Sequence, residues 1–461
     1  MQANLCRRGF WTMVVGAMTA VGTTTLSGAE TPEPAAAKWQ LGTPVVSYWV
    51  GHALTDAVAQ QMADGGFNLV WCTSEPELNV AQRHGLRALF YNGLSSMAYG
   101  ENAAGLILPA SLDKPAERAK LDALIDQVRQ HPALYGYFLR DEPGAMDFAG
   151  LGRLVAYLRE RDPNHLAYIN LFPTYATNEQ LGLKGEPVPA YREYLRQYVA
   201  VVKPALLSYD NYRFAVAGDF DQYFLNLAMM RQAAQQAGLP FLNIVQVSSW
   251  DPVMRVPTGN EVRYLVYTTL AYGAQGMSYY VYCAGCYKGY TGGIARHDDG
   301  TPMPIYDVVK PLNHEFVAIA TELQPLVSLG IYHAGMTPWG TSPLANDAPF
   351  RLDPPVAPMP YENLKPVKGM LLGYFGPAGQ AKESAKPTQV LVVNLDYTAA
   401  ATTTLVGPGK LEVFDATTKT WSPAGTGRAE LRLPPGGGKL VRQETPKTKQ
   451  GFFRRLLGIV Y

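Results

Sequence analysis

Three ionisable residues, Arg140, Asp141 and Glu142, close the apolar run Tyr135-Gly136-Tyr137-Phe138-Leu139, and Pro143-Gly144 follows at once. A run of that composition reads as a strand buried on both faces, and Pro-Gly marks its end. Such a strand delivers a cation and two carboxylates to one edge of a sheet. A second stop of the same kind is Ser208-Tyr209-Asp210. Other strand-like runs end at or beside His52, Trp71, Glu75, Asn170, Gln246, Trp250 and Tyr280. Carboxylates move protons, amides and Arg hold hydroxyl groups, and aromatic faces stack on sugar rings. Together they suit the cleavage of an acetal bond between sugars. There one acid protonates the leaving oxygen and a second group stabilises positive charge at the sugar.

Each residue also has an ordinary reading. Arg140 and Glu142 pair as strand-end ions, Asp210 caps a turn, and Glu75 beside Pro76 is a loop acid. His52 is a satisfied polar residue, and Trp71 and Trp250 are core. Neighbouring residues on a regular strand point to opposite faces, so Asp141 and Glu142 share a site only if the strand breaks between them. Pro143-Gly144 supplies a reason for the break.

The elements that must position these residues alternate along the chain. Apolar strand patterns over 45–50, 67–72, 86–91, 134–139, 165–171, 205–209, 242–247 and 277–282 are separated by helical patterns. Those helices fall at 56–62, 79–84, 121–130, 147–161, 191–202, 219–237, 261–272 and 306–329. Eight strand–helix units over 30–330 fit an α/β fold, a (β/α)₈ TIM barrel, whose ligand-binding rim is the C-terminal end of the strands. No Gly-rich dinucleotide fingerprint follows the first strand, which disfavours an open doubly wound sheet. Residues 331–368 hold eight prolines and read as a linker. From 369 to 445 short alternating runs at 370–375, 389–395, 402–405, 410–414, 429–433 and 439–442 predict a small all-β sandwich. Residues 446–461 read as a basic amphipathic tail.

With 461 residues, 47% hydrophobic and 17% charged, the chain is globular and long enough for a sizeable core. A net charge of +1 gives no electrostatic reason to expect nucleic acid as a partner. Residues 1–29 read as an export signal, with Arg7 and Arg8 before an apolar stretch and Ser27-Gly28-Ala29 as cleavage site. Arg7-Arg8-Gly9-Phe10-Trp11 also resembles a twin-arginine signal, so the expected location is periplasmic or extracellular. No other apolar run nears the roughly 20 residues that span a bilayer, so no integral membrane span is expected. Cys283 and Cys286 suit a local disulfide, and no second pair stands at zinc spacing, so neither metal nor cofactor is expected. No feature of the sequence fixes an oligomeric state.

The layout resembles secreted glycoside hydrolases with a (β/α)₈ barrel and a C-terminal β-sandwich. Arg140-Asp141-Glu142-Pro143 after the fourth strand, Thr268 to Gly276 before an aromatic eighth strand, and Asn394-Leu395-Asp396-Tyr397 carry the resemblance. It implies a carbohydrate substrate and Glu142 as general acid/base. In the clan that includes many β-galactosidases, Asn precedes that acid and a Glu nucleophile ends the seventh strand. Here Asp141 and Gln246 stand in those places. The adjacent Asp-Glu pair resembles the substrate-assisted hexosaminidases and chitinase-like enzymes instead. That parallel implies Asp141 and Asp210 as positioning carboxylates and Tyr209 as their hydrogen-bond partner. Arg140, Asn170, Gln246, Trp250, Tyr280, Trp71, Glu75 and His52 are then candidates for holding sugar. The competing expectation is a glycan-binding protein that keeps the barrel without turnover.

Overall fold

The computed structural model describes residues 39–91, 112–250, 252–283, 285, 287–379 and 385–444. The export signal, the C-terminal tail and Cys286 lie outside the described residues. No described helix is long and apolar enough to cross a membrane.

Eight parallel strands form one sheet: β1 (Val45–Tyr48), β2 (Leu69–Cys72), β3 (Arg87–Phe90), β4 (Leu134–Asp141), β5 (Leu166–Leu171), β6 (Leu207–Asp210), β7 (Phe241–Gln246) and β8 (Gly276–Tyr280). They follow one another around the sheet in chain order, and β8 pairs with β1. The seam between β1 and β2 closes through a side chain. Asn68 Oδ1 accepts from the Val46 N–H at 2.9 Å, and the Asn68 N–H donates to the Val46 carbonyl at 3.1 Å. This is a TIM barrel, and its lumen is filled by Val45, Leu69, Leu89, Phe138, Tyr168 and Ile244. The opposite parity on each strand packs outward on the helices. Tyr137, Tyr209, Val245 and Tyr279 sit in that outer layer, the largest hydrophobic cluster of the chain.

Local chemistry sets the helix starts. The Thr55 hydroxyl caps the helix Asp56–Asp64 by accepting from the Val58 N–H. Thr258 and Glu261 form a reciprocal capping box on the helix Gly259–Ala271.

The last helix, Ile305–Leu323, ends before Pro325, where a helix to 329 was expected. The apolar residues beyond it belong to a strand, β9 (Leu326–Gly335). The proline-rich stretch therefore begins inside the C-terminal sheet, and β10 (Arg351–Asp353) adds a second strand from it. With β11 (Gly369–Pro377), β12 (Gln389–Asn394), β13 (Ala401–Asp415), β14 (Thr420–Leu433) and β15 (Gly438–Gln443), they complete an antiparallel sandwich. Its core holds Leu372, Val392, Leu405, Leu431 and Val441. The two strands expected at 402–405 and 410–414 are one, with a register shift at Gly407-Pro408-Gly409.

The sandwich is docked on the barrel. A Cβ at Gly373 would come within 2.2 Å of the Ala271 carbonyl oxygen, so only glycine permits this approach. A largely buried charge cluster also reaches the sandwich. Arg213 is 3.3 Å from Asp219, Tyr397 of the sandwich donates to Asp219 at 2.9 Å, and Arg255 joins Asp219 to Glu261.

Candidate active site

The C-terminal ends of β4, β5 and β6 bring three polar side chains into one row. Asn170 Nδ2 donates to Asp141 Oδ1 and to Asp210 Oδ1, both at 3.0 Å. The amide cannot turn over. Ser208 donates to Asn170 Oδ1 at 3.0 Å, and Ser208 in turn lies 2.9 Å from the Tyr168 hydroxyl. Asn170, Ser208 and Asp210 share strand parity, so all three face the lumen.

The row is electrostatically strained. Asp210 is buried, and that burial, followed by the charge of Asp141, raises its carboxyl well above the usual range. Asp141 is open to water at the strand end, yet the surrounding loops still strip enough solvent to raise its carboxyl. The hydrogen bond from Asn170 and the charge of Arg140 offset part of that rise. Two carboxyls joined through one nitrogen titrate as a pair, and the charge of Asp141 makes Asp210 the harder of the two to ionise.

Glu142 reaches the same rim through two departures from regular strand geometry. The β4–β5 register shifts between Phe138 and Arg140, and Glu142 itself adopts a left-handed φ of 44°. Its N–H still donates to the Asn170 carbonyl at 2.8 Å. The Tyr194 hydroxyl holds the next turn through the Pro143 carbonyl at 2.8 Å. The negative charges of Asp210 and Glu142 both act on the hydroxyls of Tyr175 and Tyr212. Those tyrosines therefore lie within electrostatic reach of both acids, and the Tyr212 N–H donates to the Tyr175 hydroxyl at 3.3 Å.

Aromatic rings stand on both sides of the row. Tyr212, Trp250, Tyr280 and Tyr290 make one group: Trp250 stacks on Tyr290 and meets Tyr212 edge-on, with centroids 5.9 Å and 4.8 Å apart. Trp49, Trp71, Tyr91, Phe138 and Tyr168 make the other, on β2, β4 and β5 and just beyond β1 and β3. Acids flanked by half-open aromatic faces can hold a sugar ring and exchange protons with it.

Four candidates take no part in that row. Tyr209 is fully buried among Tyr191, Tyr223 and Tyr272 in the outer layer, because it precedes Asp210 by one residue and so faces the other way. Tyr212, two residues after Asp210, takes the place expected of it. Gln246 is consumed by backbone: it accepts from Phe214 N–H and donates to the Phe214, Ser248 and Arg255 carbonyls. It shapes the loops and offers nothing to a ligand. Glu75 opens the helix Glu75–Arg83, with Pro76 in its first turn, and meets Gln127 at 3.4 Å on the outside of the barrel. His52 lies beyond β1, beside Cys283 and His297 rather than beside the acids. Tyr175, Tyr212, Tyr290 and Ser208 are the site residues that the sequence reading missed. Period-two alternation from Asp210 identifies Ser208 and Tyr212; nothing local identifies Tyr175 or Tyr290.

Comparison with known proteins adds likeness of layout. No protein-family model matches the chain, and no curated protein matches its sequence. Among solved structures it is similar to a β-galactosidase from the psychrophilic Marinomonas ef1, at 12% identity and a TM-score of 0.44, over 61% of this chain and 60% of that one. The chain thus spans 60% of the length of that β-galactosidase. It is also similar to a glycoside hydrolase family 5 protein from Bacteroides vulgatus, at 11% identity and a TM-score of 0.49, over 88% of this chain and 94% of that one. A third, described as a glycoside hydrolase, has 12% identity and a TM-score of 0.48, over 87% and 92%.

Proposed function

We propose that the chain hydrolyses glycosidic bonds in an oligo- or polysaccharide. The observation that carries this reading is the Asp141–Asn170–Asp210 row, with Glu142 beside it and aromatic faces on both sides. Glu142 is the general acid/base that protonates the leaving oxygen. The member of the aspartate pair that ionises first, Asp141, stabilises positive charge at the anomeric carbon, and Asp210 positions it through Asn170. In a substrate-assisted version, the substrate's acetamido group attacks and the aspartates orient it. An absolute requirement for acetamido sugars selects that version. The segment 1–29 supports an exported enzyme acting on external carbohydrate.

One observation favours a second reading. The seventh strand ends in Gln246, whose amide is fully engaged, so it offers no carboxylate to the site. A glycan-binding protein with a degenerate barrel accounts for that loss. A panel of aryl glycosides and polysaccharides separates the two: turnover supports the enzyme, and saturable binding with no released sugar supports the binding protein.

A further inference from the structure

Away from the acids, at the seam between β1 and β8, three metal-ligating side chains converge from distant parts of the chain. They are His52, beyond β1, and Cys283 and His297, beyond β8. One ligand atom from each lies within 4.8 Å of the other two. Cys283 Sγ is 3.4 Å from His297 Nδ1 and 4.0 Å from His52 Nε2. In a tetrahedral site, bonds of about 2.3 Å to sulfur and about 2.0 Å to nitrogen set sulfur and nitrogen about 3.6 Å apart. The two separations bracket that value. A protonated thiol has one hydrogen and cannot serve two imidazoles, whereas one cation satisfies all three. His52 Nδ1 is also buried without a hydrogen-bond partner among the described residues. Its Nε2 lies 3.0 Å from the His297 carbonyl, a bond that ligation through Nε2 would replace.

We propose that His52, Cys283 and His297 bind a divalent transition-metal ion of the zinc class, with Cys283 giving up its thiol proton to solvent. The main chain already joins the two loops here: Cys283 N–H donates to the Val50 carbonyl at 2.9 Å, and Tyr282 N–H to that of Trp49 at 2.8 Å. The ion would extend that zipper outward and hold the loop that carries Tyr290 against Trp250. Neither the acids nor the aspartate pair takes part, so the site stands or falls independently of the glycosidase reading.

The test uses the full chain, stripped with chelator and titrated with Co(II) and then Zn(II). The expected result is one equivalent of Co(II) with a thiolate-to-cobalt absorption band, bleached by Zn(II), and a Tm that rises with Zn(II). Cys283→Ser should abolish the band, and His297→Ala should weaken binding at least tenfold. The exposed His297 makes a variant that folds even if Cys283→Ser does not. Wild-type chain that retains no more metal than Cys283→Ser and shows no thiolate band would overturn the proposal. So would a Cys283–Cys286 disulfide found by peptide mapping of the unreduced protein.

Discussion

Replacing Asp210 by asparagine should make the protein more stable at alkaline pH while damaging its activity. Folding moves this carboxyl from an ordinary 3.8 to about 7, first by burial and then by the charge of Asp141. The folded state therefore keeps a proton that the unfolded chain has released. Stability is full below about pH 4 and declines as pH climbs through about 7. At about 1.4 kcal/mol per pH unit, the ceiling on that loss is about 4 kcal/mol. Because Asp141 is open to solvent, its share is screened, and roughly 2–4 kcal/mol is the expected range. An amide at position 210 keeps an acceptor for Asn170 Nδ2 and carries no charge to desolvate. Thermal unfolding of wild type and Asp210→Asn between pH 4.5 and 8.5 reads the difference. At roughly 2 cal/mol/K per residue over the nearly 400 described residues, the variant should melt about 3–5 °C higher at pH 8.5 and near wild type at pH 4.5. Parallel curves, or a variant less stable at pH 8.5, would refute the electrostatic account of this pair.

Further outcomes follow from the same geometry. The acid limb of kcat/KM should lie near the lower ionisation of the pair, about 6, falling about tenfold per pH unit below it, and Asp141→Asn should move that limb. Trp250→Ala removes a ring that packs on Tyr212, Tyr280 and Tyr290, so KM should rise about tenfold with kcat nearly unchanged, read by steady-state kinetics. Asp219→Ala strands the fully buried Arg213 and should cost about 3–5 kcal/mol in urea unfolding. Gly373→Val drives a side chain into the Ala271 carbonyl and should cost at least about 1–3 kcal/mol, visible as a lowered Tm.

The barrel was legible because its signals are local and repeated: apolar strand runs alternate with helical patterns, and Pro or Gly closes most units. The rim was legible where a residue type and its parity agree, as at Asp141, Asn170 and Asp210. It misled where type was read without parity. Tyr209 is the right kind of residue on the wrong face, and Tyr212 sits on the correct one. Gln246 is correctly placed, but its amide satisfies backbone in a loop whose path the sequence does not disclose. Pro325 ends the last helix, yet the apolar run across it has helical spacing, which hid the first strand of the sandwich. The His52–Cys283–His297 group joins residues more than 230 positions apart, and only the β1–β8 pairing brings them together.

The most direct test of the central claim is hydrolysis by wild type and Glu142→Gln on two versions of one glycoside, one with a poor and one with a good leaving group. If Glu142 is the general acid, the variant should lose about 10²–10⁴-fold on the poor leaving group and far less on the good one. Equal losses on both, or a variant as active as wild type, would contradict that role. Wild-type protein that binds the sugar and never cleaves it would contradict the enzyme altogether.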